Sequence, residues 1–219
     1  MKKPTARKSG SGKQENRKGV DDFVLLVAAA NPIPAGGSAT ALAGALAAAL
    51  GEMTAGLTEG REKFARVQTQ VLEIHSRLTR LRKTLRALVD EDAIAFKSLM
   101  NALKFPRETA RQRAARAEAI EKCTRIATET PLQTARASVE VLENLNTLIG
   151  IGNPNAKCDV AAGVHMAYAS LKSGQYNVLA NIRGMKDAAY ARNCRAEISD
   201  LVRRGQKILK RVDKLISGS

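Results

Sequence analysis

The stretch NPIPAGGSATALAGALAAALGEMTAGLTEGR, residues 31–61, decides how the rest of the chain is read. A turn with two prolines and paired glycines runs straight into a long helix almost free of charge. Pro32 and Pro34 keep the residues before them extended, so no helix passes through them. Gly36 and Gly37 allow positive φ or a close ligand approach, and Ser38 is a natural N-cap. Helical spacing then gives two faces. Leu42, Leu46, Met53 and Leu57 form a bulky one, while Ala41, Gly44, Ala48, Gly51 and Ala55 form one of small residues. A helix apolar all round is expected to be buried. This one reads as the central helix, approached closely by a neighbour along its small side.

Composition agrees with helix packing around it. Hydrophobic residues make up 44% of the 219, aromatics only 3%, and tryptophan is absent, so Ala and Leu supply the core. No segment shows period-two alternation of branched residues. The expected fold is all-α, a single antiparallel helical bundle built round a buried helix rich in small residues. The formal net charge of +15 calls for an anionic partner. On charge alone nucleic acid, an anionic membrane and a polyanionic small molecule are all open.

Cys123, Cys158 and Cys194 are an odd, scattered set without a C-x-x-C pair, which suits a reducing compartment rather than a disulfide framework or zinc site. His75 and His165 are too few for a transition-metal cluster. His75 sits among arginines and reads as surface, His165 as packed on a small-residue helix. No apolar core and cleavage site follow the basic amino terminus as a signal peptide requires. The apolar stretch stops at Glu52, short of the roughly 20 residues a membrane span needs. A soluble, cytoplasmic protein with no membrane partner is expected.

Residues 1–19 hold seven Lys or Arg and one Glu. They read as a disordered basic tail ahead of a helical domain at 20–219. The tail is either an arm for nucleic acid or a solvated extension, and its lack of aromatic side chains to stack on bases favours the second. A short helix is expected at about 20–30 with Phe23, Leu26 and Val27 inward. A long one follows at about 62–103, where Val71, Ile74, Leu78, Leu81, Leu85 and Leu88 form an a/d seam. Pro131 should kink or divide the next segment, about 107–149, whose later half turns Val139, Leu142, Leu145 and Leu148 inward. Helices at about 156–186 and 187–216 complete the bundle.

Four places carry more polar residues than packing requires. The glycine turn Pro34–Ala35–Gly36–Gly37–Ser38 can hold an anion or carbonyl on its amides, or be a plain helix start. Asp90–Glu91–Asp92 is either a solvated acidic turn or contains an acid that titrates abnormally. The loop Asn153–Pro154–Asn155–Ala156–Lys157–Cys158–Asp159 delivers Asp159 to a helix amino end, as a poised carboxylate or as a helix-dipole acid. Asn177 and Asn181 share one helical face, followed by Arg183. Their amides serve helix-to-helix hydrogen bonds or recognise a heterocycle.

Together these places resemble the cyclodeaminase/cyclohydrolase family of folate enzymes. The matching words are NPIPAGGSATALAGALAAALGEMTAGLTEGREKF at 31–64, DEDAIAF at 90–96, NPNAKCD at 153–159 and NVLANIRGMKD at 177–187. The correspondence covers about 20–215. Ala35 stands where the family usually has a third glycine and Cys158 where it has serine. The resemblance implies an all-helical homodimer whose substrate is a folate, often with several glutamates in its tail, and nucleic acid then becomes an unlikely partner. It implies a cleft lined by Gly36, Gly37 and Ser38 with Lys63 close by, its wall completed by Asp159 and the Asn177–Asn181 pair. Asn155 and Arg183 fall within the same words and join the substrate-binding set. The expected reaction is hydrolysis of 5,10-methenyltetrahydrofolate, with formiminotetrahydrofolate cyclodeamination as the alternative. Asp159 is the first choice of base and Asp92 the second, with Lys63 as proton donor or anchor for a substrate carboxylate. No metal or further cofactor is expected, because the substrate is already a cationic electrophile.

Overall fold

The computed structural model describes residues 12–218. Its α-helices are α1 (Gly12–Ala28), α2 (Gly36–Gly56), α3 (Gln68–Leu103), α4 (Ala110–Ile151), α5 (Lys157–Asn181) and α6 (Ala188–Ser217). Short 3-10 turns at Glu62–Val67, Pro154–Ala156 and Ile182–Gly184 join them, and there is no strand among the described residues. From α2 onward, consecutive helices run antiparallel. Ser38 at the start of α2 meets Val89 late in α3, and Leu103 at the end of α3 meets Arg116 early in α4. The helix α2 packs against α3, α5 and α4, and α6 closes the bundle against α5 and α4.

The a/d seam of α3 is buried in full, as are Val139, Leu142, Leu145 and Leu148 on α4. On α6, Ile198, Leu201 and Val212 go inward. The glycines and alanines of α2 explain why it sits among three helices. Ala41, Gly44, Ala48, Gly51 and Ala55 are all buried, and without bulky side chains the neighbouring backbones come close.

Several expectations are corrected. The bulky face of α2 is not buried: Leu46 is 49% exposed, Met53 42% and Leu57 39%. The helix is 21 residues long, enough by length and composition to cross a membrane, yet its small-residue face is committed to protein packing. Leu26 and Val27 of α1 are exposed, and of the three residues expected inward only Phe23 packs on the core. The helix α1 begins at Gly12, inside the stretch expected to be a disordered tail, while residues 1–11 of that tail lie outside the described residues.

The helix α4 runs unbroken through Pro131. His165 is exposed rather than packed, with Nε2 2.9 Å from Asp213 Oδ1. His75 is part-exposed beside Glu59 at 3.0 Å.

Candidate active site

A cleft of 210 Å³ opens where the amino end of α2 meets the last third of α3, the middle of α4 and the carboxyl end of α5. Pro32, Ile33, Gly36 and Gly37 form its rim, Phe96, Leu99 and Pro131 its apolar side, and Asp92, Asn177 and Asn181 its polar groups.

The amino end of α2 lacks an ordinary cap. Ala35 holds the N-cap position with extended backbone (φ −116°, ψ −164°), and no side-chain hydrogen bond caps the helix from there. Its φ is one that any residue adopts, so alanine is unstrained at this position. Ser38, expected as the cap, lies inside the first turn instead. Its hydroxyl faces two acceptors on α3, Val89 O at 2.9 Å and Asp92 Oδ2 at 3.0 Å.

Asp92 therefore does from α3 what a capping residue does locally. Its carboxylate accepts from the Ser38 hydroxyl and amide, beside the positive end of the α2 dipole. Burial raises its pKa above the ordinary carboxylate value, and the two Ser38 hydrogen bonds pull the other way. The Ser38 hydroxyl has one proton for two acceptors. A proton on Asp92 would let the carboxyl donate back to Ser38 Oγ while Ser38 serves Val89. The arrangement accommodates both protonation states, as an acid–base group requires.

Gly37 makes this contact possible. A Cβ added there would lie 2.1 Å from Asp92 Oδ1 and 2.5 Å from its Cγ, closer than real Cβ contacts come. Glycine is needed for the close approach and not for a positive φ, which among the described residues occurs at Gly60 alone.

The asparagine pair divides its work. Proline has no amide hydrogen, so Pro131 leaves the carbonyl of Ala127, four residues earlier, without its helical donor. Asn181 Nδ2 donates to that oxygen at 2.7 Å. This hydrogen bond compensates the proline and lets α4 continue as one helix. Asn177, one turn earlier on α5, has no side-chain hydrogen-bond partner among the described residues and lines the cleft with a free amide. Arg183 is exposed in the following 3-10 turn and does not line the cleft.

Asn155, Asp159 and Lys63 are elsewhere. Asn153 donates through its backbone amide to Thr58 Oγ1 at 2.9 Å and through Nδ2 to Leu57 O at 3.3 Å, fixing the 153–159 loop to the carboxyl end of α2. Asp159 begins α5 and Asn177 lies near its other end, about 27 Å away at 1.5 Å per residue. Lys63 is exposed over the Phe64 ring, 4.8 Å from its centroid. Within one chain, the residues expected to converge form two groups at opposite ends of α2. Sequence reasoning missed Pro131, Phe96 and Leu99 as cleft residues. The available signal was Pro131, a proline inside a helix that must pass its freed carbonyl to some donor.

A half-buried carboxylate and an unpaired amide facing one cleft of an all-helical bundle give that cleft acid–base and hydrogen-bonding capacity. The family model described as formiminotransferase-cyclodeaminase matches residues 19–200, and the chain belongs to that family. It is 32% identical to the methenyltetrahydrofolate cyclohydrolase of Methylorubrum extorquens AM1, over 88% of this chain and 93% of that protein. It is 30% identical to the formimidoyltransferase-cyclodeaminase of Gallus gallus over 83% of this chain, but spans only 33% of that relative's length. The crystal structure of formiminotetrahydrofolate cyclodeaminase from Thermotoga maritima shares the fold, with a TM-score of 0.83 at 24% identity, covering 91% of this chain and 96% of that one.

Proposed function

We propose that the chain is an enzyme of folate one-carbon metabolism that hydrolyses 5,10-methenyltetrahydrofolate to 10-formyltetrahydrofolate. The observation that carries this reading is Asp92, a carboxylate with raised proton affinity held against a helix amino end inside the cleft. The near end-to-end match to a cyclohydrolase favours hydrolysis over deamination.

In this reading the bridging amidinium carbon of the substrate sits beside Asp92. Water attacks that carbon as Asp92 takes a proton from it, and the carboxylate meanwhile stabilises the cationic ring. The carbon–N5 bond then breaks as N5 receives that proton, the hydroxyl left on the carbon gives its own proton to solvent, and the carbon becomes the formyl group on N10. Asn177 supplies an amide to the heterocycle, and Gly36, Gly37 and Ser38 shape the wall. Asp92 replaces Asp159 as the preferred base, because within one chain Asp159 belongs to the group at the far end of α2. Lys63 remains the proton donor or the anchor for a substrate carboxylate, and Asn155 and Arg183 remain substrate-binding candidates. The chemistry needs no metal, since the substrate carries its own positive charge.

The excess of cationic side chains draws in glutamate-tailed folates. The free state of all three cysteines supports a cytoplasmic setting, and the exposed apolar face of α2 supports a homodimer. Cyclodeamination of formiminotetrahydrofolate is the second reading, favoured by the likeness to formimidoyltransferase-cyclodeaminases. It uses the same ring and expels ammonia as the ring closes.

The test is loss of methenyltetrahydrofolate absorbance on adding protein, beside ammonia release from formiminotetrahydrofolate. Turnover that disappears in Asp92→Asn is the expected result. A folded protein active on neither substrate would refute the proposal. A nucleic-acid protein would instead show steeply salt-dependent affinity for DNA or RNA.

A further inference from the structure

We infer that Phe96 is a specificity residue of the cleft, an aromatic face that binds the delocalised cation of the substrate and so separates the ring-closed cationic folate from neutral ones. The inference rests on the folate reading above and assigns one more side chain to the same site.

The first support is the charge that lines the cleft. The chain carries 36 Lys and Arg against 21 Asp and Glu, a net charge of +15. Among the described residues none of those cations lines the cleft, and Asp92 is the sole ionisable group that does. A site for the anionic end of a ligand would draw on that supply of Lys and Arg. This cleft instead suits a group that is flat, apolar on its faces and positive at its edge. The heterocycle of a folate fits that description, and its glutamate tail belongs outside.

The second support is the placing of the ring. Asp92, Phe96 and Leu99 fall at i, i+4 and i+7 on α3, and all three line the cleft. Residues four apart on a helix have Cβ atoms about 6 Å from one another, so a ligand that reaches the carboxylate also meets Phe96. Aromatic residues are only 3% of the chain, and Phe96 is the one that lines this cleft among the described residues. Other rings are engaged by the protein's own cations. Lys63 Nζ lies 4.8 Å from the Phe64 centroid, Arg125 Cζ 4.3 Å from that of Tyr190 and Lys172 Nζ 5.3 Å from that of Tyr176. Phe96 has no such partner among the described residues, so a cation entering the cleft meets an unengaged ring.

The third support is the field at Asp92. Its carboxylate sits against the positive end of α2 and accepts from the Ser38 hydroxyl at 3.0 Å. The helix end cancels part of that negative charge and itself repels a cation, so a second source of attraction is needed. The face of a phenyl ring supplies one, since its negative potential attracts a cation within about 6 Å of the centroid, more strongly where water is excluded. Methenyltetrahydrofolate spreads its charge over N5, the bridging carbon and N10. That flat amidinium can lie on the ring of Phe96 while its edge faces Asp92. Hydrolysis removes the charge, so the product loses this contact and leaves more readily than the substrate.

The test separates charge from shape. In Phe96→Leu, kcat/KM for methenyltetrahydrofolate should fall about tenfold, while the competitive inhibition constant of 5-formyltetrahydrofolate, neutral at that position, changes less than about twofold. Phe96→Tyr keeps the ring and should restore most of the loss. The analogue 3,4,5-trifluorophenylalanine at position 96 keeps the shape but drains the ring face, and should behave as leucine does. Equal losses for the two folates, or a fluorinated ring as good as phenylalanine, overturn the proposal. A second readout needs no turnover. Benzamidinium and benzamide share one shape, the first a flat cation and the second neutral. Followed by the side-chain amide NMR signal of Asn177, benzamidinium should bind the wild type about tenfold more tightly, and lose about fivefold in Phe96→Leu with benzamide unchanged. No preference in the wild type, or an unchanged benzamidinium affinity in Phe96→Leu, overturns the proposal. A chain inactive on both folates that still prefers benzamidinium through Phe96 refutes the functional reading alone.

Discussion

Replacing Gly37 by alanine tests the central contact of the site. The new methyl carbon would start 2.1 Å from Asp92 Oδ1, 2.5 Å from Cγ and 2.6 Å from Oδ2. An ordinary contact is about 3.4 Å or more, so the carboxylate must retreat by roughly 1 Å and loses its place beside the Ser38 hydroxyl and amide. Two effects on stability oppose one another. Alanine in a helix is favoured over glycine by about 1 kcal/mol, while overpacking of this kind costs about 1–3 kcal/mol. The net change in stability should be a loss of at most about 2 kcal/mol. The functional cost is larger, because displacing a reacting group by 1 Å lowers the rate about 100-fold. The expected result is therefore a folded protein with kcat/KM for methenyltetrahydrofolate down about 100-fold. Gly150→Ala is a fair control, since a Cβ there meets nothing within 4 Å. Adding Asp92→Ala to Gly37→Ala should return the lost stability without returning activity, the signature of a contact between the two positions. Wild-type kcat/KM in Gly37→Ala would refute the claim that Asp92 works from the position it holds against α2.

Asn181→Ala removes the donor to the carbonyl freed by Pro131 and should cost about 1–2 kcal/mol in thermal or denaturant unfolding. Asn177→Ala, with no intramolecular bond to lose, should leave stability unchanged and raise KM. Because folding raises the pKa of Asp92 by burial, its contribution to stability is complete below the unfolded value and is lost as pH rises through the folded one. Asp92→Asn should accordingly melt higher than wild type near neutral pH, with the gap closing in acid, as scanning calorimetry across pH would show. The same residue, acting as base, should make kcat/KM fall with acidification through a pKa above the ordinary carboxylate range.

Much of the bundle was legible because the signal was periodic. The seam of α3 from Val71 to Leu88 and the stripe of α4 from Val139 to Leu148 follow helical spacing over many turns, and all of it is buried. The environment of α2 was not legible. Its small and bulky faces can be read from spacing, but periodicity gives no sign of which face meets the protein. Close packing among three helices selected the alanines and glycines, and the leucines were left outside. For the site, residue types were informative and distances were not. Asp92, Asn177 and the glycine turn belong to different segments, and only the antiparallel run of α2, α3 and α5 brings them together. That same run carries Asp159 away from them, a separation that no local pattern encodes. The partial burial of Asp92 and its bond to Ser38 are tertiary facts, which no local pattern could set beside Asp159.

Several departures from local rules gather in one place. A helix without a side-chain cap, a carboxylate drawn into partial burial, a glycine kept for lack of room, a proline inside a long helix and an unpaired amide all border the cleft at the head of α2. Elsewhere the core is mostly apolar, and the buried Ser138 and Ser170 hydroxyls are bonded, Ser138 to Ser170 and Ser170 to the Thr40 carbonyl. Each departure alone has a plain structural account. Asp92 caps α2, Gly37 makes room for Asp92, and Asn181 repairs the defect at Pro131. Yet a chain under no functional demand would reach the same fold more simply, with a serine at 35, an alanine at 131 and an apolar residue at 177. Local rules are expected to fail together where function requires it. By that reasoning the cleft is the proposed site, with the amide of Asn177, which has no partner among the described residues, as the group offered to the substrate.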